Sequence, residues 1–80
     1  MSEGKPNVHD LDVTVWVGKS GIDAVIDELD AQLKDREAVK VRFHRAALAG
    51  TNAEELAETL AQRTDSTLVD VRGHTGVYQR

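Results

Sequence analysis

Four consecutive residues, Gly18-Lys19-Ser20-Gly21, are the part of this 80-residue chain best suited to hold a ligand. Glycines flanking a lysine let the backbone turn tightly, take positive φ and lie close to another chain's backbone. A helix starting just after them would add the free N–H groups of its first turn and its dipole, both of which favour an anion. Lys19 supplies a full positive charge at the tip. The same spacing also serves as a plain turn. It is not a Walker loop, which needs GxxxxGK[ST], nor a dinucleotide fingerprint, which needs a third glycine.

Other constellations give little chemistry. With no cysteine, the chain has no disulfide, thiolate metal site or thiol nucleophile. His9-Asp10 falls in a polar leading stretch without a rigid platform. His44 and His74 lie on separate elements, and no carboxylate stands at metal-ligand spacing from them. Asp27 and Asp30, or Glu54 and Glu58, occupy polar helix faces that solvation explains. No serine sits in a nucleophile elbow. The expected protein is not an enzyme and carries no metal or cofactor.

The elements that must position the loop follow from periodicity. Residues 1–10 are polar, contain the single proline and read as a flexible arm, leaving 11–80 as one domain. Residues 11–17 alternate, with Val13, Val15 and Val17 on one face and Asp12, Thr14 and Trp16 on the other, the period of a strand. Ile22, Val25, Ile26, Leu29 and Leu33 form the stripe of a helix, which Ser20 could cap with Asp23 as partner. A second strand places Val39, Val41 and Phe43 inward and Lys40, Arg42 and His44 outward. Residues 45–51 connect it to a helix over 52–64, opened by Thr51 with Glu54, whose stripe is Ala53, Leu56, Ala57, Leu60 and Ala61. Residues 67–72 and 77–80 read as two last strands around a Gly73–Gly76 turn region.

The order β-α-β-α-β-β predicts an α/β (α+β) fold. It is a four-stranded mixed sheet with two helices on one face, against the Val13, Val39 and Val69 rows. The other face has no apolar layer to cover it. Alternation puts Trp16, Lys40, Arg42, His44, Asp70, Arg72, Tyr78 and Arg80 there.

Charge is unevenly spread. The chain carries −4 overall, but the helical segments 22–37 and 52–64 together carry −6, leaving +2 for strands and loops. A cationic sheet face with Trp16 and Tyr78 could stack bases and track phosphates. It could equally be an ordinary solvated face. A GXXG loop holding nucleic-acid backbone, as in KH domains, completes that reading.

Val15-Trp16-Val17-Gly18-Lys19-Ser20-Gly21-Ile22, Arg36-Glu37-Ala38-Val39-Lys40-Val41-Arg42, Ala53-Glu54-Glu55-Leu56-Ala57 and Val71-Arg72-Gly73-His74-Thr75-Gly76-Val77-Tyr78-Gln79-Arg80 follow one another in an order that resembles the CRM domain (chloroplast RNA splicing and ribosome maturation), above all its stand-alone YhbY-like members. The likeness runs over roughly residues 12–80. It implies an RNA-binding module with the fold of the C-terminal domain of a bacterial translation initiation factor. It also implies RNA contact at the Gly18–Gly21 loop and association with large-subunit ribosomal precursors. The matching positions are Gly18, Lys19 and Gly21, then Lys40 and Arg42, then Arg72 and Gly73. Bacterial members carry a basic helix before the first strand, for which ten residues are too few, and they are usually basic where this chain is acidic. Scarce lysine (Lys5, Lys19, Lys34, Lys40) and abundant aspartate resemble a salt-adapted cytoplasm, as in halophilic archaea.

The expectation is a cytoplasmic, monomeric RNA-binding protein without a membrane partner, acting on ribosomal RNA or large-subunit precursors during ribosome assembly. Gly18, Lys19, Ser20 and Gly21 would hold phosphates. Lys40, Arg42 and Arg72 would extend the track, and Trp16 or Tyr78 would stack a base. Two rivals are an acidic protein–protein interaction module, docking through helix 22–37, and an Alba-like nucleic-acid-binding chromatin protein.

Overall fold

A computed structural model describes residues 11–80; the expected arm over 1–10, with His9-Asp10, lies outside the described residues. The chain runs through β1 (Val13–Val17), a 3-10 turn (Ile22–Val25), α1 (Ile26–Asp35), β2 (Val39–Phe43), a second 3-10 turn (Arg45–Leu48), α2 (Ala53–Arg63), β3 (Thr67–Arg72) and β4 (Thr75–Gln79). The four strands form one sheet in the order β1-β2-β4-β3. β1 lies parallel to β2, while β4 is antiparallel to both β2 and β3. The crossovers through α1 and α2 run the same way across the sheet. With the usual right hand, both helices then fall on one face.

That face holds the core. Val15, Val17, Val39, Val41, Phe43 and Tyr78 from the sheet meet Ile22, Val25, Leu29 and Leu33 on one side and Ala57, Leu60 and Ala61 on the other. The predicted helix stripes are therefore the buried ones, although the first begins as a 3-10 turn and becomes α-helical only at Ile26.

Several expectations are corrected. Ser20 caps nothing: Gly21 holds the N-cap position without a side-chain bond, and Asp23 instead pairs with Arg63 of α2 at 2.5 Å. The cap of α2 is Asn52, whose Oδ1 accepts from the Glu55 N–H at 2.9 Å, while the Thr51 hydroxyl donates to the Glu55 carboxylate. The expected Thr51–Glu54 pair is thus shifted by one residue.

In β1 an extra residue, Thr14, sits between the pairs Val13↔Lys40 and Val15↔Val41. Residues paired across strands share a face, so this bulge turns Val13 to the Lys40 side. Thr14 turns toward α1, donating from its hydroxyl to Gln32 Oε1 at 2.6 Å. In β3 the extra residue is Val69, between Leu68↔Tyr78 and Asp70↔Val77. It is 41% exposed, and Leu68 and Val71 take the inward places instead.

Tyr78 does not lie on the open face. It is fully buried, and its hydroxyl donates to the Ala57 carbonyl of α2 at 2.9 Å. Val77 takes the outward-facing register, paired with Lys40 and Asp70. The register decides this: Tyr78 pairs with the buried Val39 of β2 and with Leu68 of β3, and residues paired across strands share a face. β4 itself begins at Thr75, two residues earlier than the sequence suggested. Arg80 also leaves the open face. Following β4 on the inward side, that of Tyr78, its guanidinium binds the Asp30 carboxylate of α1 and the Thr64 carbonyl after α2 at 2.6 Å. The hydrogen bond from Arg80 holds the Asp30 carboxyl below the ordinary carboxylate range.

Candidate nucleic-acid interface

The parallel pairing of β1 with β2 decides where the site lies. Both strands end in the same direction, and the β3–β4 hairpin turns back at that end. Three connections therefore converge: Gly18–Gly21 after β1, His44-Arg45 after β2, and Gly73-His74 between β3 and β4. The His44 N–H donates to the Val17 carbonyl at 2.8 Å, and the Phe43 N–H donates to the His74 carbonyl at 2.7 Å. Crevices outside the carboxyl ends of parallel strands are where α/β sheets commonly bind ligands.

The glycine loop is a closed β-turn, with the Gly21 N–H donating to the Gly18 carbonyl at 2.9 Å and Lys19 and Ser20 exposed at its tip. Gly21 has φ 83 and ψ −179, a region left almost entirely to glycine. Gly73 has φ 58 and is the first residue of a two-residue hairpin, where a type II′ turn requires glycine. No heavy atom lies within 4 Å of the place a Cβ would occupy at Gly18 or Gly21, so the loop surface is open to close approach. The loop does not lead into an α-helix N-terminus, as the sequence suggested. A single 3-10 turn carrying Asp23 follows, and α1 starts beyond it. Anion binding here must rest on Lys19 and the loop backbone.

This geometry separates two roles of glycine. Gly21→Ala is expected to cost about 1–3 kcal/mol of stability through backbone strain, read by denaturant unfolding. Gly18→Ala should leave stability unchanged or slightly raised while placing a methyl group where a ligand backbone would approach.

On the open sheet face the register sets side chains in rows. Trp16, Arg42, Thr75 and Arg72 lie side by side across all four strands. One row further from the loops are Val13, Lys40, Val77 and Asp70. Trp16 is 52% exposed, so its indole offers a flat surface beside Arg42. Among the described residues, ion pairs hold Arg63, Lys34 and Arg80 to acids of the helical side, and none holds Lys19, Arg42 or Arg45. The structure thus brings together Trp16, Gly18, Lys19, Ser20, Gly21, Arg42 and Arg72, keeps Lys40 one row behind, and excludes Tyr78. It adds Arg45 and His74, to which no sequence pattern gave a role. The signal that finds them is the strand order, which joins connections distant in sequence.

No group of three or more His, Cys, Asp or Glu side chains that could hold a metal ion occurs among the described residues. No helix among them is long and apolar enough to cross a membrane.

Residues 2–80 match the family model described as the CRS1 / YhbY (CRM) domain. Over 70 residues the chain is 44% identical to a Methanocaldococcus jannaschii protein named a probable RNA-binding protein, a match covering 88% of this chain and 52% of that one. The chain therefore spans about half the length of the curated relative it matches. Its fold is similar to the solution structure of a hypothetical Staphylococcus aureus protein provisionally assigned to RNA binding. That likeness has a TM-score of 0.74 and 36% identity, and covers 91% of this chain and 75% of the other.

Proposed function

Because the chain belongs to the CRS1/YhbY (CRM) domain family, we propose that it binds RNA, with the nucleic-acid backbone held at the Gly18–Gly21 loop and along Arg42 and Arg72 of the open sheet face. The observation that carries this reading is the convergence of an open glycine turn, exposed cations and a half-exposed Trp16 at one end of the sheet. Lys19 and the loop backbone take phosphates, Lys40 lengthens the track, and Trp16 stacks a base. Such contacts orient an RNA strand without reading its sequence. The ligand is ribosomal RNA, met on large-subunit precursors in the cytoplasm, and the role is non-catalytic.

An acidic total does not oppose this, because the acids lie mainly on the helices, behind the sheet. A surplus of aspartate over lysine suits a salt-rich cytoplasm. There the counterion-release contribution shrinks, and stacking and close backbone contact carry more of the affinity.

Titration of a labelled ribosomal RNA fragment against salt tests the proposal. Lys19→Ala should weaken binding about equally for unrelated RNA sequences and lower the salt slope by about one. Unchanged affinity and slope at low salt would remove the loop from the interface. Co-sedimentation of the wild type with free large ribosomal subunits, lost in the same variant, is the expected result for the ribosomal assignment.

A further inference from the structure

We propose that His44, Arg45 and His74 form a second phosphate-holding point across the sheet end from the Lys19 loop, and that its two imidazoles make RNA affinity rise as pH falls. The inference rests on the RNA-binding reading above and extends it to a part of the surface that reading does not use.

The positions are built rather than incidental. His44 has extended backbone, φ −70 and ψ 155, so the alternation of β2 continues through it. Phe43 points into the core, and His44 shares the face of Arg42. Its N–H is tied to the end of β1 through Val17, while the carbonyl of His74 is tied to β2 through Phe43. Gly73, at positive φ, fixes the turn that carries His74. Arg45 opens a 3-10 turn whose Ala47 and Leu48 pack on the core. Three exposed side chains that can carry positive charge are thus held on a stiff base. Neighbouring strands are about 4.8 Å apart, so this point and the glycine loop flank the end of the sheet at a separation of roughly two strands.

The connections themselves carry cations, while the acids at this end of the sheet are on the helical elements behind it: Asp23 in the first 3-10 turn and Glu54 and Glu55 in the first turn of α2. Segments 16–21, 42–46 and 72–75 contain Lys19, Arg42, Arg45 and Arg72 and no carboxylate. The nearest acids in sequence are Asp23, paired with Arg63, and Asp70, one row further along β3. Imidazole is the side chain whose charge changes between about pH 5 and 8, and only its protonated form attracts phosphate. Each protonation adds one cation to a path already lined by cations. A bound phosphate favours that step, and by linkage the step favours the phosphate.

The test is fluorescence anisotropy with one labelled single-stranded RNA, at fixed salt, from about pH 8 to about pH 6. Wild-type affinity should rise about ten-fold or more across that interval, with the salt slope steeper at the acid end by about one to two. His44→Gln/His74→Gln should lose most of the gain, each single variant losing part of it. Lys19→Ala should bind more weakly at every pH and keep the gain. All these side chains are exposed, so the core is untouched. Binding by the double variant with the full wild-type gain overturns this inference and leaves the RNA reading intact. Absence of RNA binding by the wild type at either pH overturns the RNA reading and this inference with it.

Discussion

Tyr78→Ala is expected to unfold the domain under conditions where the wild type is folded. Tyr78 is buried between the sheet and α2, and truncating a buried aromatic costs about 3–5 kcal/mol through lost transfer energy and the cavity left behind. A chain of 80 residues has a total stability of about 4–12 kcal/mol, so one substitution removes a large share. Tyr78→Phe keeps the ring and loses only the hydrogen bond to the Ala57 carbonyl, about 1 kcal/mol. The two variants also differ from the wild type in alkali. Burial pushes the Tyr78 phenol above its ordinary value of 10.0. The unfolded chain therefore releases this proton at lower pH than the folded one. The wild type loses stability as pH rises past about 10, and Tyr78→Phe lacks that loss. Denaturant midpoints measured across that range check both statements. Full folding of Tyr78→Ala would contradict the assignment of this ring to the core.

Trp16→Ala should have the opposite signature, weakening RNA binding with little effect on folding. A base stacked on an aromatic contributes about 1–3 kcal/mol, which corresponds to roughly five-fold to a hundred-fold in affinity. With half its surface already in solvent, the indole adds little to the core, and the unfolding midpoint should move by only a few degrees. Trp16→Phe should retain part of the affinity. Trp16 is the single tryptophan, so its fluorescence in the wild type reports directly on stacking, and quenching that saturates with RNA is the expected signal. Unquenched emission at saturating RNA would take Trp16 out of the interface.

Much of the fold was legible because each face of each element carries one kind of residue. Val15 and Val17 against Trp16, and Val39, Val41 and Phe43 against Arg42, follow the pleat without exception, and the helix stripes Leu29–Leu33 and Ala57–Leu60–Ala61 follow the 3.6-residue period. What failed lay where local pattern is silent. Alternation cannot show an inserted residue, so Thr14 and Val69 reverse the reading of their strands. Alternation along β4 separates Val77 from Tyr78 but does not say which of these two apolar residues points inward, and only the pairing of Tyr78 with Val39 and of Val77 with Lys40 decides it. Asn52 and Thr51 are both acceptable caps, and only packing of α2 chooses between them. In the candidate site, the loop, Trp16, Arg42 and Arg72 were readable one by one. Their union with Arg45 and His74 was not, because it is a product of strand order.

The two inserted residues share a location: Thr14 is in β1 and Val69 in β3, the border strands, while β2 and β4 between them pair without interruption. A straight border invites another copy to add its own strand, the first step toward ordered aggregates. Kinked margins on both sides make recruitment of that kind costly. Addition of a strand is thus disfavoured at both borders, although neither helix covers the second face of the sheet.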